Sequence, residues 1–178
     1  MSARSNRTYS LWFVPGAETT AHRQLQATIT ELAERYEDAP IFEPHVTVIG
    51  GIDGERAALE ETTRTLAAGT VSLELAFDGV RWSTTRHQCV FLPVKPTLEL
   101  MEVRRSAREA ISGSTAAYHP HLSLVYSEMG LTERHDVAQS IDTATLPGNI
   151  TCQALALVDT TGPESEWETL VSVPLSGP

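Results

Sequence analysis

Apolar positions recur along the chain in two rhythms. Residues 9–14 (YSLWFV) are aromatic and apolar and are closed by Pro15-Gly16, which predicts a strand and its stop. Over 18–36, Leu25, Ile29, Leu32 and Ala33 return at helical spacing among polar residues, which predicts an amphipathic helix. Pro40 and Pro44 bound a turn, and 45–49 (HVTVI) reads as a strand ended by Gly50-Gly51. A second helix is expected over 55–67, closed by Gly69. Residues 71–82 alternate like one long half-buried strand with a bend at Asp78-Gly79. Strands over 87–94 and 121–126 enclose a helix over 98–111. A helix over 132–141 follows, with Thr132 as its expected N-cap. Strands over 150–158 and 168–173 close the pattern as a hairpin.

The element order repeats, and so do residues. WFVP at 12–15 matches VFLP at 90–93, and FEPHVTVI at 42–49 matches YHPHLSLV at 118–125. The repeat predicts two lobes related by a pseudo-twofold, with a central cleft. Nothing in the composition marks a linker. One bilobal domain over 1–178 is therefore expected, its halves covering about 9–82 and 87–174.

Composition narrows the function. Thirteen Lys and Arg stand against 23 Asp and Glu, a formal charge of −10. That field opposes a long polyanion, so no long nucleic acid is expected as a partner, although a local phosphate pocket is compatible with it. The two cysteines, Cys89 and Cys152, fit neither a CxxC pair nor a zinc spacing. The polar start and the lack of a long apolar run predict a cytoplasmic monomer without membrane attachment.

The chemistry sits on two short strands. Residues two apart on a strand share a face, so His45 pairs with Thr47 and His121 with Ser123, each opposite an apolar stripe. One His-x-hydroxyl strand alone is more often structural. Two copies at matching positions of a repeat favour a site. Two imidazoles can hold one neutral and one protonated ring at neutral pH, which supplies a base and an acid. Two hydroxyls can hold non-bridging phosphate oxygens. No metal or other cofactor is needed for that scheme. His119 and His121 flank a proline and have no nearby Asp or Glu, so no metal pair is expected there.

These segments, HVT and HLS together with YSLWFVP, FEPHVTVIGG and PHLSLVY, resemble the two-histidine phosphoesterase superfamily. Within it they look like the plant and fungal cyclic phosphodiesterases. The resemblance implies a bilobal α+β fold, with two antiparallel sheets, flanking helices and the cleft between them. It also implies metal-free hydrolysis of small nucleotide cyclic phosphates, such as 2′,3′-cyclic nucleotides opened to 2′-phosphates and ADP-ribose 1″,2″-cyclic phosphate. It implies His45 and His121 as the acid/base pair, Thr47 and Ser123 as phosphate clamps and Tyr126 as a substrate contact. Strict alternation points Tyr126 away from Ser123, so it reaches the cleft only if the strand bends or ends there. Trp12 is a further candidate for stacking on a base or ribose, against the ordinary role of a strand tryptophan in a core. His22 and His135 fall on helical segments and are expected at the surface. Two other functions share the fold: an RNA end-processing enzyme (a 2′-5′ RNA ligase or cyclic phosphodiesterase on oligonucleotides) and a non-catalytic nucleotide-binding module. The net charge argues against the first, and the intact acid/base pair against the second.

Overall fold

The computed structural model describes residues 7–177. Its elements run β1 (Tyr9–Pro15), α1 (Thr20–Ala33), β2 (Val46–Ile52), α2 (Arg56–Ala68), β3 (Leu73–Ala76), β4 (Arg81–Trp82), β5 (Val90–Pro93), α3 (Leu98–Ala110), β6 (His121–Val125), α4 (Leu131–Ser140), β7 (Asn149–Asp159) and β8 (Glu168–Pro174). A five-stranded sheet has the order β2-β1-β7-β3, with β8 also on β7, and a three-stranded sheet has the order β4-β5-β6. Every pairing between these strands is antiparallel. β7 carries β1 along one edge. Its other edge is shared, β3 taking residues 149–152 and β8 taking 154–159. The expected two-sheet α+β architecture is present.

Alternation sorts the strands into a packed face and a cleft face. In β1, Tyr9, Leu11 and Phe13 join the main core, and Trp12 joins a small cluster with Ala156 and Val158. Val46 and Val48 of β2 and Leu122 and Leu124 of β6 enter the same core as Leu25, Leu100 and Leu155. Residues of both sheets thus share one apolar interior.

Three sequence expectations need correction. Residues 71–82 are not one bent strand: β3 pairs with β7 in the larger sheet, and β4 pairs with β5 in the smaller. The chain changes sheets at Gly79, whose φ of +71° an L side chain rarely adopts. Gly50-Gly51 do not end β2, which continues to Ile52 through Gly51 at φ +60°. Gly130, with no side-chain hydrogen bond, occupies the N-cap of α4 in place of Thr132.

The repeat is real but shifted by one residue. Thr47 lies opposite Trp12, and Ser123 lies opposite Phe91. Trp12 therefore corresponds to Phe91, and LWFV at 11–14 is the true counterpart of VFLP at 90–93. Both halves carry the same strand irregularity, at Leu11/Trp12 and at Val90/Phe91, which agrees with this correspondence.

The two repeats embrace each other. α1 packs on β6, and α3 packs on β2, so each motif strand is backed by the other half's helix. Buried polar groups reinforce this. Arg104 on α3 donates to the Val48 carbonyl, and the ring of Tyr118 lies 4.0 Å from its guanidinium carbon. The Tyr118 hydroxyl donates to the Thr47 carbonyl at 2.9 Å. On α4, Arg134 is 3% exposed and donates to the carbonyls of Met129, Ser83 and Thr85 at 2.8 Å each and of Ser127 at 3.1 Å.

Arg134→Met keeps much of the stem and removes every donor, leaving those carbonyls short of partners. It should destabilise the fold by about 2–4 kcal/mol, read from urea unfolding. Arg105→Met, whose partner Glu109 is also exposed, serves as the control and should stay within about 0.5 kcal/mol. Equal stability of the two variants would contradict the bracing role.

Candidate active site

Both motif histidines are held in the same way. His45 Nδ1 donates to the Glu43 carbonyl at 2.7 Å, and His121 Nδ1 donates to the His119 carbonyl at 2.7 Å. The acceptor lies two residues upstream in each case, with Pro44 or Pro120 between. Proline fixes its own φ and holds the residue before it extended, which presets the carbonyl for the ring. Committing Nδ1 to donation leaves Nε2 as the basic nitrogen of the neutral ring. Both histidines line one cleft of about 600 Å³, a size suited to a nucleotide-scale ligand.

Each imidazole also meets the aromatic ring placed opposite its motif hydroxyl. Trp12 stacks on His45 with ring centres 3.6 Å apart and planes 11° from parallel. Phe91 meets His121 edge-on at 5.4 Å. Trp12 therefore lines the cleft but has its face against His45, and only 6% of it is exposed. Burial is the main force on both rings. It drives His45 down to about 4, helped by charge on His121 and His87 and resisted by the Glu43 hydrogen bond. Burial also lowers His121 below the ordinary imidazole value, the His119 carbonyl opposing and His119 and His87 adding to it.

Tyr126 follows the last residue of β6, so alternation no longer governs it. Its side chain turns into the cleft, where the hydroxyl lies 3.3 Å from His45 Nε2. Phe42 stacks on its ring at 4.1 Å. Burial pushes the Tyr126 hydroxyl well above the usual phenol range, so it stays protonated and donates to His45. Phe42 and Tyr118, equivalent in the repeat, thus both reach across to the other half's motif segment.

Thr47 and Ser123 also line the cleft. Among the described residues the Thr47 hydroxyl has no protein partner. Ser123 Oγ instead donates to the His87 carbonyl at 2.6 Å. His22, His135 and Trp82 lie on α1, α4 and β4, outside the cleft lining. Cys89 and Cys152 are both free and buried. Among the described residues, no three His, Cys, Asp or Glu side chains gather in a way that could hold a metal ion.

Several cleft residues escape a sequence reading. His87, Gln88 and Thr85 come from the β4–β5 loop, Trp167 from the segment before β8, and Ser10, Ser114 and Thr160 from the opposite end. Ser114 is fixed by its amide, which donates to the Gly50 carbonyl at 2.8 Å. A side chain at Gly113 would strike Ile49, so glycine permits that approach. Among the described residues, the cleft lining contains no Lys, Arg, Asp or Glu. The polar side chains an anion meets there are imidazoles, hydroxyls, indoles and an amide.

Known proteins share this fold. The crystal structure of a Thermus thermophilus protein covers 96% of the chain and 98% of its own length at 15% identity, with a TM-score of 0.62. Apo Escherichia coli LigT covers the same shares at 15% identity with a TM-score of 0.60. These likenesses concern the fold. The Arabidopsis thaliana cyclic phosphodiesterase is 30% identical over 91% of the chain and 92% of its own. A Yarrowia lipolytica 2′,3′-cyclic-nucleotide 3′-phosphodiesterase is 28% identical over 90% and 96%. The family model for cyclic phosphodiesterase-like proteins matches residues 8–175. Paired His-x-hydroxyl strands in a two-sheet fold, and a match spanning nearly every residue, have one conclusion: the chain belongs to the cyclic phosphodiesterase-like protein family.

Proposed function

We propose that this protein hydrolyses small nucleotide cyclic phosphates, opening 2′,3′-cyclic nucleotides to 2′-phosphates, with His45 as general base and His121 as general acid. The observation that carries the reading is the repeated Nδ1-to-carbonyl bond, which leaves two basic Nε2 atoms for one cleft. The plant and fungal relatives named cyclic phosphodiesterases support the substrate class. ADP-ribose 1″,2″-cyclic phosphate carries the same strained phosphodiester and is a second candidate substrate.

His45, the more strongly depressed ring, is neutral across the working range and takes a proton from water. The water oxygen bonds to phosphorus as the bond from phosphorus to the 3′ oxygen breaks. Protonated His121 gives its Nε2 proton to that oxygen. The two rings exchange protonation states and return to the start through solvent. Thr47 donates to a non-bridging oxygen. Ser123 does so by turning its proton from the His87 carbonyl. The Tyr126 hydroxyl orients His45 in the resting site and turns from Nε2 onto the phosphate as substrate binds, which frees that nitrogen for the water proton. Among the described residues no Lys or Arg lines the cleft, so imidazolium supplies the positive charge that meets the phosphate. The same neutrality, with a net charge of −10, favours a small substrate over an RNA end.

Turnover of 2′,3′-cyclic AMP, followed by chromatography of the product, is the direct test. 2′-AMP should accumulate, at the same rate with and without chelator. His45→Ala and His121→Ala should each lower kcat by roughly 10²–10⁴-fold without loss of fold. Thr47→Val should raise KM as well as lower kcat. A rate restored only by a divalent ion, or full activity in either histidine variant, refutes the mechanism.

The pH profile follows from the two depressed rings. His45 must be neutral, so kcat/KM rises as pH climbs through about 4. His121 must be protonated, so kcat/KM falls as pH passes its lowered value, below the ordinary imidazole range. The two limbs belong to the coupled pair. Bound phosphate stabilises imidazolium, so the kcat profile should lie at higher pH than that of kcat/KM. A kcat/KM curve flat from pH 4 to 8 contradicts paired imidazoles.

A further inference from the structure

We propose that His87 is the nucleobase platform of this cleft, a specificity-determining residue outside the two motif strands; the inference rests on the phosphodiesterase reading above. His87 is a third imidazole lining the cleft, yet its own contacts differ from those of the motif pair. Its Nε2 lies 3.0 Å from Glu164 Oε1. Its ring packs over Trp167 with centres 5.8 Å apart and planes 28° from parallel. It also stands edge-on to Tyr126 at 5.1 Å. Glu164 is itself fixed by Arg86, whose Nε donates to Oε1 at 2.8 Å, and Arg86 holds Asp38 at 3.0 Å. An exposed histidine is ordinarily free to rotate. Here a carboxylate, an indole and a phenol set the plane of one whose side chain is 57% exposed.

That exposure distinguishes His87 from the other rings. Trp12 has His45 stacked on it and Tyr126 has Phe42. Trp167 is half-buried against Trp12, Tyr126 and His87, which leaves His87 the more open member of its pair. Trp12 and Tyr126 are 6% and 3% exposed. The opposite end of the cleft offers Ser10, Ser114, Ala116 and Thr160, small side chains without a flat surface. Tyr126 also sets the reach, with its hydroxyl on His45 Nε2 and its ring against His87. A ligand whose phosphate sits at His45 therefore places a planar group, one sugar away, against His87. Stacking on a preset ring tolerates every base and favours the larger purines.

The test compares 2′,3′-cyclic AMP with methyl riboside 2,3-cyclic phosphate, which has the same reacting group and no base. His87→Ala should lower kcat/KM about ten-fold or more further for the nucleotide than for the riboside, chiefly through KM. His87→Phe, flat but without the Glu164 bond, should restore most of the preference, and His87→Leu should not. Equal losses on both substrates, or an undiminished preference in His87→Ala, overturn the platform. Failure of the wild-type protein to hydrolyse either compound overturns the phosphodiesterase reading instead, so the two outcomes are separable.

Discussion

A histidine ring on a strand can swing about two bonds, and a proton-transfer pair needs both rings held still with the correct nitrogen bare. The bond from each Nδ1 to the carbonyl two residues upstream meets both needs at once. It fixes the tautomer and the ring plane in one contact. It also depends on the proline between donor and acceptor residues, which limits the backbone to a shape that returns the carbonyl to the ring. The aromatic-x-Pro-His pattern of both halves is therefore a geometric unit: the aromatic crosses to the other half, the proline shapes the turn and the histidine receives its orientation.

Buried polar groups add to the shared apolar interior in holding the two units against one another. The sheets meet at one corner, where the Lys95 amide donates to the Ala76 carbonyl at 2.8 Å and the Asp78 amide to the Pro93 carbonyl at 2.9 Å around the Phe77–Val94 bridge. Arg104 and Tyr118 secure the carbonyls of β2. Arg134 secures the β4–β5 loop, whose His87 carbonyl and Gln88 amide reach Ser123 and His121. Cleft geometry is thus governed partly by α4, a helix that contributes no side chain to the lining. Among the described residues no Lys or Arg lines the cleft, and there charge on His121 and His87 is felt by His45.

Much of this was legible in the residues. Period-two alternation gives the shared face of His45 with Thr47 and of His121 with Ser123. The duplicated motif supplies the architecture. Legibility ends where backbone irregularity begins. Matching WFVP to VFLP by their prolines pairs Trp12 with Val90, whereas pairing to the motif strands matches Trp12 with Phe91, and no local pattern reveals which register the sheet adopts. Residues 71–82 alternate smoothly, but hydrogen-bonding partners far along the chain assign their ends to different sheets. Tyr126 depends on where β6 stops. His87 and Trp167 carry no motif and come together only because Glu164 and the β4–β5 loop converge, so no spacing in the sequence signals them.

The placement of β7 couples the site to the order in which the chain can fold. β1 pairs along β7 from Tyr9 with Asp159 to Pro15 with Cys152, contacts separated by 159 − 9 = 150 residues at their widest. β1 is also the strand on which β2 rests, and it carries the indole beneath His45. During synthesis the first histidine therefore emerges early and waits without its sheet until β7 leaves the ribosome. Such distant pairing closes a large loop late and slows folding. In the interval the edge of β1 that belongs to β7 stays open, a state that favours unwanted association. The three-stranded sheet, built from residues 81–125, has no such delay. One half of the acid/base pair can take shape locally, whereas the other is assembled near the end of the chain.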